Sequence, residues 1–168
     1  MDRRTMLGVL GGAAGLAALG GREAAAADDD AKSKALADCG CKCVEACSNG
    51  MNWCNETFLY ASKEASAGKR DYAKAMHYWN DCGEICGTAS KLVARMSPLM
   101  AHACQACAAS CDDCVTASEK LNDPKMKEAI AAVRACSKSC RDMLQTLGVK
   151  VAAACCAAGE VCEKCSTK

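Results

Sequence analysis

The chain has 168 residues, of which 51% are hydrophobic and 24% are charged, and its formal net charge is +1. This length suits a single domain with a core of its own. The balance of charge excludes the strongly basic surface by which proteins bind nucleic acids or anionic membranes.

The N-terminal segment has the composition of an export signal. It carries Arg3 and Arg4, then an Ala/Gly/Leu stretch, then small residues over Ala24–Ala27. A charged start, a short apolar run and small residues at a cleavage site are typical of such signals. The paired arginines favour the twin-arginine route, with an ordinary secretory signal as the alternative. We predict a signal peptide over residues 1–27, a linker over 28–34, and a periplasmic mature protein that has no membrane segment.

Four helical stretches follow, separated by short breaks that contain capping residues. Ser97 and Asp123 each precede a proline, which is a specific signal for a helix start. Gly68 and Gly148 stand where the first and the fourth stretch end. The predicted helices are Ala35–Ala67, Asp71–Arg95, Pro98–Leu121 and Pro124–Leu147.

Helices of this length joined by short connections pack as antiparallel neighbours. The predicted fold class is therefore all-α: an antiparallel up-down-up-down four-helix bundle over residues 35–148. A short cysteine-rich C-terminal extension over residues 149–168 follows the bundle.

Seventeen cysteines lie between Cys39 and Cys165. In the helices most of them recur at three- or four-residue intervals, which places them on one face of each helix. Flanking charged residues lie off that face, so the thiols are expected to line the core. The predicted metal ligands on these faces are Cys39, Cys43, Cys47, Cys54, Cys82, Cys86, Cys104, Cys107, Cys111, Cys114, Cys136 and Cys140. The candidate additional ligands are Cys41, which lies off the stripe, and Cys155, Cys156, Cys162 and Cys165 in the extension.

This spacing favours a metal over disulfide bonds. Same-face neighbours on a helix have Cβ atoms about 5–6 Å apart, whereas a disulfide needs about 3.5–4.5 Å. A near-linear sulfur–metal–sulfur unit spans about 4.5 Å between sulfurs, which flexible side chains at i and i+4 can supply.

The softness of the thiolate ligands and the net charge of the filled site indicate which metal binds. Thiolates select Cu(I), zinc and iron–sulfur clusters. A zinc site with four thiolates carries two net negative charges, which are costly in a dry core, and iron–sulfur ligands normally lie on loops. A core filled with about one Cu(I) per thiolate is electrically neutral. We therefore predict multiple Cu(I) ions, with zinc, inter-helix disulfides and an iron–sulfur cluster as alternatives.

The topology also predicts where copper enters. The start of the first helix, the junction of the second and third, and the end of the fourth lie at one end of the bundle. Weaker Cu(I) ligands, which suit transient capture, gather there: Met96, Met100, His102 and Met143. We predict that these residues pass copper inward. The opposite end is predicted to hold an apolar plug made of Phe58, Leu59, Tyr72, Ile130 and Val133.

Three pieces of the chain resemble the bacterial four-helix-bundle copper storage proteins. They are Cys43-Val44-Glu45-Ala46-Cys47, the Ser97-Pro98-Leu99 start followed by Cys104-Gln105-Ala106-Cys107-Ala108-Ala109-Ser110-Cys111, and Cys136-Ser137-Lys138-Ser139-Cys140. The resemblance covers about residues 36–147. It implies Cu(I) bound by CxxxC pairs in the core, uptake at one end through Met or His, and a homotetramer. Exported members of that family carry twin-arginine signals, as this chain is predicted to do. The C-terminal extension departs from the family pattern.

The predicted function is storage or sequestration of multiple Cu(I) ions, with copper ions and a copper-requiring enzyme or chaperone as partners. The alternatives are a copper chaperone or detoxification protein that binds few ions, and an exported helical protein stabilised by disulfides or zinc. We predict that the protein is not an enzyme. The CxxC pairs Cys104/Cys107 and Cys162/Cys165 lack the strand–helix context of a thioredoxin-like active site.

Overall fold

The computed structural model describes the backbone of residues 20–149 and the side chains of residues 29–149. Most of the predicted signal peptide lies outside the described residues. The same holds for nearly all of the C-terminal extension, including its four cysteines, Cys155, Cys156, Cys162 and Cys165.

The described part of the chain is built from helices alone. They are α1 (Gly20–Ser66), α2 (Asp71–Ala94), α3 (Met100–Glu119) and α4 (Lys127–Thr146), with a 3₁₀ turn over Pro124–Met126. Each predicted helix is found, and the all-α class is confirmed. No helix among the described residues is both long enough and apolar enough to span a membrane.

Helix α1 is longer at its N-terminus than predicted. Residues 28–34, which we predicted to be a linker, are helical. The reason is compositional, because residues 24–37 contain Ala, Asp, Lys, Ser and Leu and neither Gly nor Pro. The compact unit that contains the bundle cysteines begins at Ala35, and the described residues before it belong to a separate unit.

The four helices pack antiparallel around one core. Helix α3 packs against both α2 and α4. Helix α1 contacts α2 through the Ser48–Ser90 hydroxyl hydrogen bond of 2.8 Å. It contacts α4 through the Sγ atoms of Cys47 and Cys140, which are 3.5 Å apart. The predicted up-down-up-down bundle is confirmed.

The predicted capping residues stand at the helix ends, with small shifts. Ser97 accepts a hydrogen bond from the backbone N–H of Leu99 at 3.2 Å, but α3 begins only at Met100. Asp123 accepts one from the N–H of Lys125 at 2.9 Å, and Pro124 begins the 3₁₀ turn rather than α4. Gly148 has φ +68° after α4, as expected of a C-terminal glycine.

The predicted apolar plug is found except at one residue, with Ile130 and Val133 buried and Phe58 and Tyr72 packed against the core. We call the end with the α2–α3 connection and the C-terminus of α4 the thiol end, and the end with the other two connections the closed end. At the closed end the fully buried side chains include Trp79, Met126 and Val133, whereas Leu59 is 60% exposed. The assignment of Leu59 to the plug is wrong, because the residues of α1 that face the core in this region are 54, 57 and 61.

The thiol end is also closed by hydrocarbon. Val93, Met143 and Leu144 are each at most 1% exposed. They form an apolar collar between the bundle surface and the first cysteines. The eleven fully buried cysteines therefore occupy the middle of the core between two apolar layers.

Candidate metal centre

The predicted ligand cysteines lie inside the bundle. Eleven of the twelve are fully buried, and Cys39 is half-buried at the thiol end. The repeat of three and four residues is what turns every one of these side chains to the same face of its helix. Cys41, which breaks the repeat, is exposed on α1.

Sulfur atoms from different helices approach closely in this core. Cys107 and Cys136 have Sγ atoms 3.5 Å apart. Longer separations reach 3.9 Å, between Cys43 and Cys104 and between Cys43 and Cys140. These distances far exceed the roughly 2.05 Å of a disulfide bond, and all cysteines among residues 29–149 are free thiols.

The sulfurs form four groups in which all ligand atoms lie within 4.8 Å of one another. From the thiol end inward, the groups are Cys43/Cys104/Cys140, then Cys47/Cys107/Cys136/Cys140, then Cys86/Cys107/Cys111/Cys136, and last Cys54/Cys82/Cys86. Each group draws on at least two helices, and the first three groups draw on three helices each.

Neighbouring groups share members, so they form one continuous thiol column. Cys140 belongs to the first and second groups, Cys107 and Cys136 to the second and third, and Cys86 to the third and fourth. A shared thiolate can bridge two metal ions. The geometry therefore suits a chain of bridged ions rather than separate mononuclear sites.

Hydrogen bonds within the column shift the pKa values of the thiols in opposite directions. Hydrogen bonds with Cys107, Cys111 and Cys136 lower the pKa of Cys86 to about 2. At Cys47 the hydrogen bond with Cys107 is the largest of several influences, and together they lower the pKa to about 6. Other thiols show the reverse, since hydrogen bonding to their neighbours and burial raise the pKa of both Cys111 and Cys140. Metal binding must displace the protons that such thiols retain.

No charged side chain is buried beside the column in the part of the chain that the structure describes. Among residues 29–149 the buried polar side chains are Thr57, Ser97, Ser118 and Ser137, all of them uncharged. A zinc ion on four thiolates would leave net negative charge in this core without a buried cation to balance it. One Cu(I) per thiolate leaves none, so the chemistry of the donor set favours Cu(I).

The candidate uptake residues differ in exposure. Met96 is 46% exposed, His102 is exposed and Met100 is half-buried. Met143 belongs to the apolar collar and has no exposed surface. It cannot capture an ion from solvent, because α4 turns residues 136, 140 and 143 to the same inward face. Its predicted part in passing copper inward stays a prediction.

One residue of the column was missed by sequence reasoning. Gly50 is buried in α1 between Cys47 and Cys54 and lies in the same three-and-four repeat. That register is the signal that could have identified it, since a glycine there occupies a position equivalent to a ligand cysteine.

Comparisons with known proteins agree with this geometry. A family model described as copper storage protein matches residues 29–145. An uncharacterized cysteine-rich protein of Bacillus subtilis (strain 168), YhjQ, is 29% identical over 101 residues, which are 60% of this chain and 92% of the relative. The solved structure of the Cu(I)-bound copper storage protein BsCsp3 is similar with a TM-score of 0.55 and 29% identity. That match covers 60% of this chain and 93% of the other.

Proposed function

The chain belongs to the copper storage protein family, and from that premise we propose that it stores multiple Cu(I) ions on the thiolates of its bundle core. The observation that carries this proposal is the continuous thiol column, in which four buried sulfur groups share Cys86, Cys107, Cys136 and Cys140. Soft thiolates select Cu(I), and sharing lets the number of ions approach the number of thiolates at no net charge.

We assign the ligand role to the eleven fully buried cysteines and to the half-buried Cys39. Cys41 is left out because its side chain is exposed on α1. A storage role without catalysis fits a site in which eleven of the twelve assigned thiols are fully buried.

Graded burial at the thiol end supports a route for copper. Exposed Met96 and His102 would capture an ion, half-buried Met100 would receive it, and buried Met143 would pass it to the first sulfur group. Thioethers and imidazole bind Cu(I) more weakly than thiolates. Transfer from these residues to the thiolates of the first sulfur group is therefore downhill in free energy.

Export and assembly are parts of the same proposal. The twin arginines support export of a folded bundle to the periplasm, where stored copper would be available to a copper-requiring enzyme or a chaperone. Membership in the family supports a homotetramer.

Titration of the reduced protein with Cu(I) tests the storage function. We expect uptake that approaches one ion per core cysteine, because each thiolate can serve two neighbouring ions. Cys136→Ser should lower this capacity, since Cys136 belongs to two sulfur groups. The exposed Cys41→Ser is the matched control and should not change it. Saturation of the unaltered protein at one or two ions would instead identify a chaperone.

A further inference from the structure

The apolar collar at the thiol end stands between solvent and the sulfur column. Its members Val93, Met143 and Leu144 are each at most 1% exposed. On α4, Met143 and Leu144 lie one helical turn beyond Cys140 in the direction of the thiol end. Cys140 is a member of the first sulfur group. The collar therefore covers that group on the side of the proposed uptake route.

Residues that reach solvent lie only one helical turn from the first group. Cys39 and Met100 are half-buried, whereas Cys43 and Cys104, four residues further along the same helices, have no exposed surface. Exposure thus falls from partial to none within a single turn. An ion held at Cys39 or Met100 still has to cross this boundary to reach the first group.

On the side of α1, the neighbour of the collar is a buried glycine, Gly40. A methyl group on Gly40 would lie 3.8 Å from Cγ1 of Val93, and no other atom from a different helix would lie within 4 Å. This is an ordinary van der Waals distance. An alanine at this position would therefore pack against Val93 without displacing it.

An ion cannot cross the collar while its side chains stay in place. Val93 and Leu144 carry no donor atom, and Met143 offers a single thioether. A cation that enters an apolar layer loses ligands at a high cost in free energy, and packed protein cores contain few voids larger than a water molecule. Passage therefore requires the collar side chains to move apart. The packing that opposes this motion is a barrier in both directions.

We propose that the collar is a gate, in which Val93 and Leu144 set the rate at which Cu(I) enters and leaves the column without binding it. This inference rests on the proposed storage function and adds retention to it. The thiolates determine how tightly copper is held at equilibrium, and the collar determines how long it stays.

Val133 offers a matched control for Val93. It is also fully buried and lies one turn from a column cysteine, Cys136, but on the side of the closed end. Val93→Ala and Val133→Ala remove the same two methyl groups from a buried site. They differ in whether the loosened packing lies between solvent and the first sulfur group.

The experiment follows Cu(I) transfer from its bicinchoninate complex into the reduced protein, and removal of bound Cu(I) by excess chelator, by stopped-flow absorbance. We expect Val93→Ala to speed both steps about tenfold, the effect of the packing of two methyl groups on a barrier, at unchanged capacity. Val133→Ala should change neither rate. Unchanged rates in Val93→Ala, or equal acceleration in both variants, would overturn the inference. If the unaltered protein itself bound only one or two ions, the storage function would fail instead.

Gly40→Ala supplies a test that does not depend on a destabilised variant. Alanine is more favourable than glycine in a helix interior, so we expect this variant to fold and to melt no lower than the unaltered protein. Its methyl group should slow loading and removal about fourfold, the effect of one more buried methyl group, at unchanged capacity. Rates equal to or faster than those of the unaltered protein would overturn the inference.

Discussion

Met96 adopts a backbone conformation that only glycine or asparagine adopts at the other described helix ends. Its φ is +49°, in the left-handed region, as are those of Gly68, Asn122 and Gly148. The N–H of Ser97 donates to the carbonyl of Leu92 at 3.0 Å, and that of Met96 donates to the carbonyl of Val93 at 2.9 Å. These two bonds form a Schellman motif, in which glycine is the usual residue at the position of Met96.

This conformation costs a residue with a side chain about 1–2 kcal/mol. Met96 nevertheless holds that position, and its side chain is 46% exposed at the thiol end. A strained residue at a candidate functional position motivates a hypothesis of function. The strain is consistent with a thioether kept for copper capture at the expense of stability.

Replacement of Met96 by glycine should separate the effect of this residue on stability from its effect on copper capture. We expect Met96→Gly to raise the free energy of unfolding of the metal-free protein by about 0.5–1 kcal/mol, after allowance for the greater entropy of unfolded glycine. Combined with Met100→Leu and His102→Gln, it should slow Cu(I) loading in stopped-flow measurements while leaving the final capacity unchanged. Unchanged loading rates in this triple variant would remove these residues from the uptake route.

At the scale of elements, one carboxylate ties three segments together at the closed end. Oδ2 of Asp123 accepts hydrogen bonds from the hydroxyl groups of Tyr60 in α1 at 2.7 Å and Tyr72 in α2 at 2.9 Å. Its Oδ1 accepts the N–H of Lys125 at 2.9 Å. The two tyrosine rings also meet edge to face, with centroids 6.1 Å apart. Asp123 thus joins the α3–α4 connection to α1 and α2.

The protonation state of Asp123 follows from these contacts. Burial raises the pKa of Asp123, but the hydrogen bonds from Tyr60, the N–H of Lys125 and Tyr72 outweigh it and hold the pKa below its usual value. A carboxyl whose pKa is lower in the folded than in the unfolded state stabilises the fold above its unfolded pKa of about 3.9. That contribution is lost as the pH falls through the folded pKa.

We expect Asp123→Ala to lower the free energy of unfolding by about 1–2 kcal/mol at pH 7, because it removes a cap and the acceptor for two hydroxyl groups. Urea unfolding of the reduced, metal-free protein at pH 7 and pH 3 measures this. The neutral Asp123→Asn variant serves as the control for charge. Its stability deficit against the unaltered protein should shrink at pH 3, and a deficit independent of pH would contradict the assigned role of the carboxylate.

The helices and their inward faces could be predicted from the sequence because they depend on local repeats. Twelve cysteines at three- and four-residue spacing define a face of each helix without knowledge of its neighbours. Contacts between distant segments leave no such repeat. The meeting of Tyr60, Tyr72 and Asp123, and the approach of Gly50 to Cys136, depend on how the helices are aligned along the bundle axis. The assignment of individual cysteines as copper ligands stays a prediction.

At the scale of the whole molecule, the core changes in character along the bundle axis. The closed end buries large side chains, among them Trp79, Met126 and Val133, whereas the thiol column buries cysteines and Gly50. A cysteine removes less apolar surface from water than a leucine or tryptophan does, so each layer of the column gains less hydrophobic stabilisation. Without metal, the column is therefore the part of the bundle expected to open most readily.

Copper should reverse this difference in stability, because bridged ions would connect the helices through the layers that gain least from hydrophobic burial. A ligand that binds only the closed conformation stabilises it by about 2.7 kcal/mol when present at 100 times its dissociation constant. Hydrogen exchange followed by mass spectrometry can measure where this stabilisation acts. We expect Cu(I) to slow exchange strongly in the part of α3 around Cys104–Cys111 and much less in the part of α4 around Ile130 and Val133, which serves as the internal control. Equal slowing in both regions would mean that copper stabilises the bundle as one cooperative unit, and the column would then not be its weakest layer.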